Sequence, residues 1–329
     1  MIVIVSMDRD AHADRVEELL ADRAVRFVRL NTADFPGEIA AAINFGRDGE
    51  DINLRIGDDF LRSDDIHSVW YRRPEPPKVS AGMSPQNIAF SKNESSNLMS
   101  GLWLLLQDKL WVNPYEAGRA AEAKPYQLAM ARGVGFTIPA TLMTNDPSSA
   151  LEFVAALKGP AIYKAFTCYD RSTRDGPVFG IYTTLVTEND IASRTDSIRR
   201  APCIFQEYVE KRLEIRATVV GTDVFAAEIH SQNSERSRVD WRRYDLANTP
   251  YVTHSLPLKV VERIVELMSR LKLRFGCIDL VLTPDGDYVF LEVNPSGQWY
   301  WVELLTGLPI TDRLVGLLTA GDMVAGGNR

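Results

Sequence analysis

Apolar and polar positions change period several times along the chain, and each change marks an element. The run Ile2-Val3-Ile4-Val5 is continuously apolar, as in a strand covered on both faces, and a helical period follows over Ala11–Arg23. Phe27–Leu30, Ile52–Ile56 and Val69–Tyr71 read as further strands, so residues 1 to about 80 form a small α/β layer. Arg72 to Lys78 is a proline-rich connector, and Asn87 to Leu110 reads as a helix with Leu98, Leu102, Leu105 and Leu106 along one side.

A second unit begins near Asn113-Pro114. Lys124 opens a helix with Pro125 in its first turn and Gly133 at its stop, followed by strand-like Phe136–Leu142. Asp146 and Pro147 cap the helix Ser148–Leu157, and the strand Ala161–Phe166 carries Lys164 inside an apolar run. A third unit opens at Ile204–Val209 and continues as a hairpin, Leu213–Val220 with Val224–His230 about Gly221-Thr222-Asp223. A three-residue loop sets Arg216 across from Glu228. The period of Val261, Ile264, Val265, Met268 and Leu271 gives a helix over about Leu258–Leu271. The expected units are therefore 1–112, 113–202 and 203–329.

The last strands carry the most chemistry. Two apolar runs flank the turn signal Pro284-Asp285-Gly286. With a loop from Pro284 to Asp287, Thr283 pairs with Tyr288, Asp279 faces Glu292, and Asn294 shares the face of Glu292. Like charges directly across a ladder repel, so a divalent cation between them makes sense of the pattern. All-oxygen ligands suit magnesium or manganese.

Composition narrows the class. A chain of 329 residues with 45% hydrophobic and 25% charged residues has ordinary globular values and is expected to form two or three subdomains, with a packed globular enzyme as the default expectation. No apolar stretch approaches the ~20 residues a membrane helix needs. A net charge of −7 argues against nucleic acid as a partner. Cys168, Cys203 and Cys277 are odd in number and far apart, which fits a reducing cytoplasm. No Gly-x-Gly-x-x-Gly follows the first strand, so a dinucleotide site is not expected there.

Asp279, Glu292 and Asn294, followed by Pro295 and a small residue, resemble the magnesium-nucleotide site of the ATP-grasp superfamily. The upstream pattern follows in order from about 113 to 300. Lys124 precedes Gly135-Phe136-Thr137-Ile138-Pro139, Lys164 ends Ile162-Tyr163-Lys164, and Phe205-Gln206-Glu207-Tyr208-Val209 matches the adenine connector. Glu214 lies two residues before Arg216. The resemblance implies an α/β ATP-grasp fold of three subdomains, with ATP between the central and C-terminal units. It assigns Lys124, Lys164, Glu207, Tyr208, Val209 and Glu214 to the nucleotide, Arg216 to the transferred phosphoryl group, and the carboxylates and Asn294 to two Mg2+ ions. Lysines neutralise phosphate oxygens as point charges, whereas Arg216 offers a planar fork. The loop Thr167–Gly176 departs from the pattern, being polar and basic where the superfamily is rich in glycine.

Within the superfamily, Val69-Trp70-Tyr71-Arg72-Arg73-Pro74, Asn113-Pro114 and Asp240-Trp241-Arg242-Arg243-Tyr244 resemble the ATP-grasp ribosomal peptide maturases, or graspetide synthetases, which include the microviridin-type cyclases. The resemblance implies a cytoplasmic ligase that phosphorylates Asp or Glu side chains of a precursor peptide, with a leader and an acidic core, and closes ω-amide or ω-ester rings. Arg72, Arg73, Trp241, Arg242 and Arg243 are the expected peptide contacts, and a homodimer is the expected assembly. The alternative on the same chassis is a ligase that adds amino acids to a protein terminus or joins small amino acids. A nucleotide-dependent peptide-binding module without turnover is the non-enzymatic alternative. The retained lysines, arginine and carboxylates argue against it.

Overall fold

The computed structural model describes residues 1–47, 49–79, 82–166, 182–243 and 245–320. The segment 167–176, with Cys168, Arg171 and Arg174, lies outside these residues, and so does Tyr244. In chain order the first elements are β1 (Ile2–Ser6), α1 (Ala11–Asp22), β2 (Phe27–Leu30), β3 (Ile39–Gly46), β4 (Gly49–Ile56), β5 (Asp59–Arg62), β6 (Ser68–Arg73), α2 (Pro85–Leu105) and β7 (Leu110–Val112). Strands β2-β1-β6-β7 form a parallel sheet, and β3-β4-β5 form a separate antiparallel one. Strand β3 escapes the sequence pattern because Ala40, Ala41 and Ala42 give it no clear period of two.

Next come α3 (Tyr115–Ala121), α4 (Lys124–Gly133), β8 (Thr141–Thr144), α5 (Pro147–Ala156), β9 (Ala161–Lys164), β10 (Thr184–Val186), α6 (Glu188–Ala192), α7 (Thr195–Arg200) and β11 (Cys203–Glu207). The antiparallel order β10-β9-β11-β8 puts β11 in the central sheet. There Phe205 pairs with both Leu142 and Tyr163. Helix α4 continues through Gly133, and Gly135, at φ +88°, supplies the left-handed turn that follows.

The last elements are β12 (Leu213–Val220), β13 (Asp223–Ile229), β14 (Tyr251–Thr253), α8 (Leu258–Arg270), β15 (Phe275–Leu282), β16 (Tyr288–Asn294), α9 (Tyr300–Thr306) and α10 (Ile310–Leu318). They build the antiparallel sheet β14-β13-β12-β15-β16, whose core face is covered by α8 through Ile264, Leu267 and Met268. The β12–β13 loop is two residues, because Val220 already pairs with Asp223. Arg216 therefore sits opposite Ala227, and Glu228 faces Ile215, one step from the expected register. Helix α10 returns to the first sheet, where Ile310, Leu314 and Leu318 pack with Ile2, Ile4 and Trp70. Asn113 joins the same two units with four bonds, three of them buried. Its Nδ2 donates to the carbonyl oxygens of Phe275 and Pro295, both at 2.9 Å, and its Oδ1 accepts the Arg274 and Phe275 amides at 2.7 and 2.8 Å.

Candidate active site

The C-terminal sheet lines up a row of charges across three strands. Arg216 on β12 is the register partner of Asp279 on β15, and Asp279 is the partner of Glu292 on β16. Direct partners share a face, so the three side chains stand side by side. The facing of Asp279 and Glu292 is as expected from the sequence, although the route to it differs. The turn is longer, with Leu282 rather than Thr283 opposite Tyr288, and a bulge after Asp279 restores the register.

Each carboxylate has its own cation. Arg216 Nη1 donates to both Asp279 oxygens at 2.9 and 3.0 Å, and its Nη2 donates to the Gln298 carbonyl oxygen at 2.9 Å. Lys124, the first residue of α4, donates to Glu292 Oε2 at 2.5 Å. The signs thus run plus, minus, minus, plus, which relieves the repulsion that the sequence assigns to a metal. Burial works to raise the Glu292 carboxyl, but Lys124 and Lys164 hold it down at about 2. Asn294 closes the strand, with its Oδ1 accepting the Ser296 amide at 2.9 Å. Among the described residues no group of three His, Cys, Asp or Glu side chains converges as a metal site. The donor set is two carboxylates and one amide oxygen, all hard oxygens that fit Mg2+.

Lys164 enters from the central sheet. It pairs with Ile204 and shares a face with Gln206, so both look into the cavity that also holds Asp279 and Glu292. Burial pushes the Lys164 ammonium below its ordinary value. Gln206 donates to Thr141 Oγ1 at 2.8 Å, and its buried Oε1 on the cavity wall has no partner among the described residues. The connector amides of Glu207 and Tyr208 already bond the carbonyl oxygens of Ala140 and Pro160 at 2.9 and 2.8 Å. Val209 lines the cavity with no backbone bond from its amide among the described residues.

Glu214 is 4% exposed and both its oxygens are engaged. Lys211 Nζ donates to Oε1 at 2.5 Å and the Ser231 hydroxyl donates to Oε2. Burial pushes the Glu214 carboxyl up despite Lys211. Sequence reasoning missed Lys211, because Glu210-Lys211-Arg212 looks like a solvated charge run. Its spacing of three from Glu214 was the available signal.

The expected basic, aromatic peptide surface does not form as one patch. Arg242 forks onto Asp240, through Nε at 2.9 Å and Nη2 at 2.6 Å, and together with Trp241 it lines the cavity of Lys164 and Glu292. Trp241 lies 5.2 Å from the Trp301 ring and 6.0 Å from the Arg216 guanidinium. Arg243 turns away, stacking 5.3 Å over Tyr182 at a second cavity of about 550 Å³ behind the central sheet. Arg72 is no surface contact either, at 1% exposed. Its guanidinium holds the Ser296 and Gly297 carbonyl oxygens and stacks 5.1 Å over Trp299. Its acidic neighbour is Asp10, at 3.4 Å.

This geometry has relatives of known structure. The model of the MvdD pre-ATP grasp domain matches residues 1–119. The macrocyclase MdnB of Microcystis aeruginosa MRC is 31% identical over 97% of this chain and 99% of its own, with a TM-score of 0.83. The macrocyclase MdnC of the same organism, solved with the precursor peptide MdnA, is 27% identical over 97% and 99%, with a TM-score of 0.84. A Chryseobacterium gregarium RiPP-associated ATP-grasp ligase, solved with ADP and a leader and core peptide, is 27% identical over 96% of each chain, with a TM-score of 0.86. No curated protein sequence matches. The fold is therefore ATP-grasp, and the protein is an ATP-dependent ligase. The chain belongs to the ATP-grasp ribosomal peptide maturases, the graspetide synthetases.

Proposed function

We propose that this chain uses Mg–ATP to activate an Asp or Glu side chain of a ribosomal precursor peptide and then closes an ω-amide or ω-ester ring. The observation that carries the reading is the meeting of Lys124, Lys164, Arg216, Asp279 and Glu292 at one face between two sheets, on a backbone shared with peptide macrocyclases.

The chemistry has two balanced steps. A carboxylate oxygen of the peptide attacks the γ-phosphorus and ADP leaves with the bridging electron pair, giving an acyl phosphate. A Lys amine or a Ser or Thr hydroxyl of the same peptide then attacks the acyl carbon, losing its proton as inorganic phosphate departs. Lys124 and Lys164 neutralise phosphate oxygens, the open Val209 amide meets the adenine edge, and Glu207 and Glu214 stand at the ribose side. Arg216 leaves Asp279 to fork onto the phosphoryl group in flight, where charge stabilisation and positioning do most of the catalysis. Asp279, Glu292 and Asn294 are the residues that would hold magnesium, which would supply neutralising charge to the phosphate oxygens. Two ions, two copies of the chain per assembly and a cytoplasmic setting belong to the same proposal.

Trp241 and Arg242 sit at the nucleotide cavity, so their side of it is where the acidic core approaches. Incubation of the protein, Mg–ATP and the short peptide encoded beside it, followed by mass spectrometry, should give loss of one water per ring. ADP release without dehydration of the peptide would sink the macrocyclase reading, and transfer of a free amino acid would favour the alternative ligase.

A further inference from the structure

One peptide unit connects the N-terminal unit to Arg216. The Gln298 carbonyl oxygen accepts Arg216 Nη2 at 2.9 Å, and the N–H of that same peptide bond, on Trp299, donates to His12 Nε2 at 3.1 Å. A planar trans peptide aims its carbonyl and its amide in opposite directions, so whatever fixes one fixes the other. His12 is the second residue of α1, and its Nδ1 lies 3.3 Å from Oδ1 of Asp10, the N-cap of that helix. The contacts thus run from Asp10 through His12, the Gln298–Trp299 peptide and Arg216 to Asp279 in the charge row.

The rest of that turn is held from the same side. Asn113 holds the Pro295 carbonyl oxygen, and Arg72 holds those of Ser296 and Gly297. A side chain at Gly297 would run into Cys277 and stand 3.2 Å from Arg216 Nη2, so the turn rests directly on the arginine. His12 is buried, with its ring centroid 4.6 Å from that of Trp299 in an edge-on contact. A ring nitrogen that accepts an amide carries no proton, so the imidazole is the neutral form with its proton on Nδ1. Burial and the charges of Arg72 and Arg73 favour that neutral form and push the imidazole below its ordinary value, against Asp10. Arg73 itself lines a neighbouring cavity with Tyr115 and Glu122.

We propose that His12 is a positioning residue for Arg216, acting through the Gln298–Trp299 peptide unit. The proposal rests on the phosphoryl-transfer role proposed for Arg216 and adds the group that aims it. In the ligand-free protein Arg216 has two anchors, Asp279 and the Gln298 carbonyl oxygen. When the fork moves from Asp279 to a phosphoryl oxygen, the carbonyl is the anchor that stays, and the direction of the guanidinium depends on the plane of that peptide. An acceptor at His12 keeps the amide pointing towards α1. Without it the unit is free to rotate and turn its N–H on the arginine, a donor against a donor. The N-terminal unit thereby reaches the reacting centre through one hydrogen bond.

With four histidines in the chain, the imidazole nitrogens are readable by nitrogen-15 magnetic resonance, and His12 is assigned by the signals lost in His12→Gln. At pH 7 His12 should show a bare Nε2 and a protonated Nδ1. This readout needs neither ATP nor peptide, so it can fail while ring formation succeeds, and the reverse. Turnover then separates positioning from packing. His12→Phe keeps a ring against Trp299 but has no acceptor, and should lower kcat about tenfold with ATP affinity unchanged. A Gln side chain brings an acceptor oxygen about as far out as Nε2, so His12→Gln should hold kcat within about threefold of the parent. In an Arg216→Lys background His12→Phe should cost little more, because two residues acting through one group are not additive. A proton on Nε2, a parental kcat in His12→Phe, an equal loss in the Gln and Phe variants, a loss of ATP affinity in place of kcat, or a full further tenfold loss beside Arg216→Lys would each overturn the assignment.

Discussion

Replacing Asp279 with Asn tests the charge row most directly. The Arg216 side chain is 6% exposed and that of Asp279 is 14% exposed, so their pair is largely shielded from water. Asn keeps one acceptor oxygen, so one of the two Arg216 Nη1 contacts is lost and the other becomes a bond to a neutral group. The guanidinium then keeps a full charge with the Gln298 carbonyl oxygen, the neutral Asn oxygen, the Trp241 ring at 6.0 Å and the more distant Glu292 beside it. Breaking a buried pair from one side costs about 3–5 kcal/mol, and the residual exposure together with Glu292 puts this case near the lower end, about 3 kcal/mol. Urea unfolding followed by circular dichroism reads the cost as a lower midpoint at unchanged slope. Removing both partners, in Asp279→Leu with Arg216→Leu, should recover at least half of it, because no orphaned charge remains. A single variant within about 0.5 kcal/mol of the parent would refute the reasoning, since that is the range of surface substitutions away from such features.

Other sites give sharp outcomes. Asn113→Ala removes four bonds, three of them buried, between the N-terminal and C-terminal sheets and should cost about 3 kcal/mol or more in the same urea assay, with Asn113→Asp failing to restore it because a carboxylate cannot donate to Phe275 and Pro295. Glu292→Gln should fold but lose ATP-dependent product; the wild-type carboxyl is held at about 2 against an ordinary 4.5, so its stabilising contribution is complete above about pH 4.5 and fades as pH falls towards 2, and the variant's acid unfolding curve should lack that component. Arg216→Lys keeps a charge but cannot hold two Asp279 oxygens and the Gln298 carbonyl oxygen at once, so kcat should drop with ATP affinity nearly unchanged; a tenfold loss of ATP affinity at constant kcat would make Arg216 a ground-state binder.

What the sequence discloses depends on how far apart the interacting residues lie. Lys124 at the start of a helix, Asp146 as a cap and Asp279 opposite Glu292 are all legible, because each rests on a local period or a single turn. The last came out right through two cancelling departures, a longer turn and a bulge, and burial explains why they must cancel. A slip of one residue would turn Val281 and Leu280 inside out, and the core under α8 fixes the face. The partner of Arg216 lies 63 residues away on a strand joined only by long-range pairing, so no local reading of β12 points to Asp279. Arg72 is the same case at greater distance. Its Arg-Arg-Pro setting looks like an exposed basic connector, but a loop more than 220 residues later folds over it.

The charge row also explains why such a site is stable before any ligand arrives. Two carboxylates aligned on adjacent strands would repel, and the ladder would loosen at the place where geometry matters most. Arg216 and Lys124 remove that penalty from opposite ends, one along the sheet and one from a helix start, and both are groups that the proposed reaction needs for phosphate. On that reading the same two cations serve two states. They neutralise Asp279 and Glu292 in the ligand-free protein, and they would be released to phosphate oxygens were the carboxylates to hold magnesium. The exchange swaps partners without leaving a buried charge alone at either stage, which is the condition that a water-poor site imposes. Lys164, already pushed towards its neutral form by burial, is the cation with no ion pair among the described residues to give up, so phosphate binding there is not opposed by a broken pair.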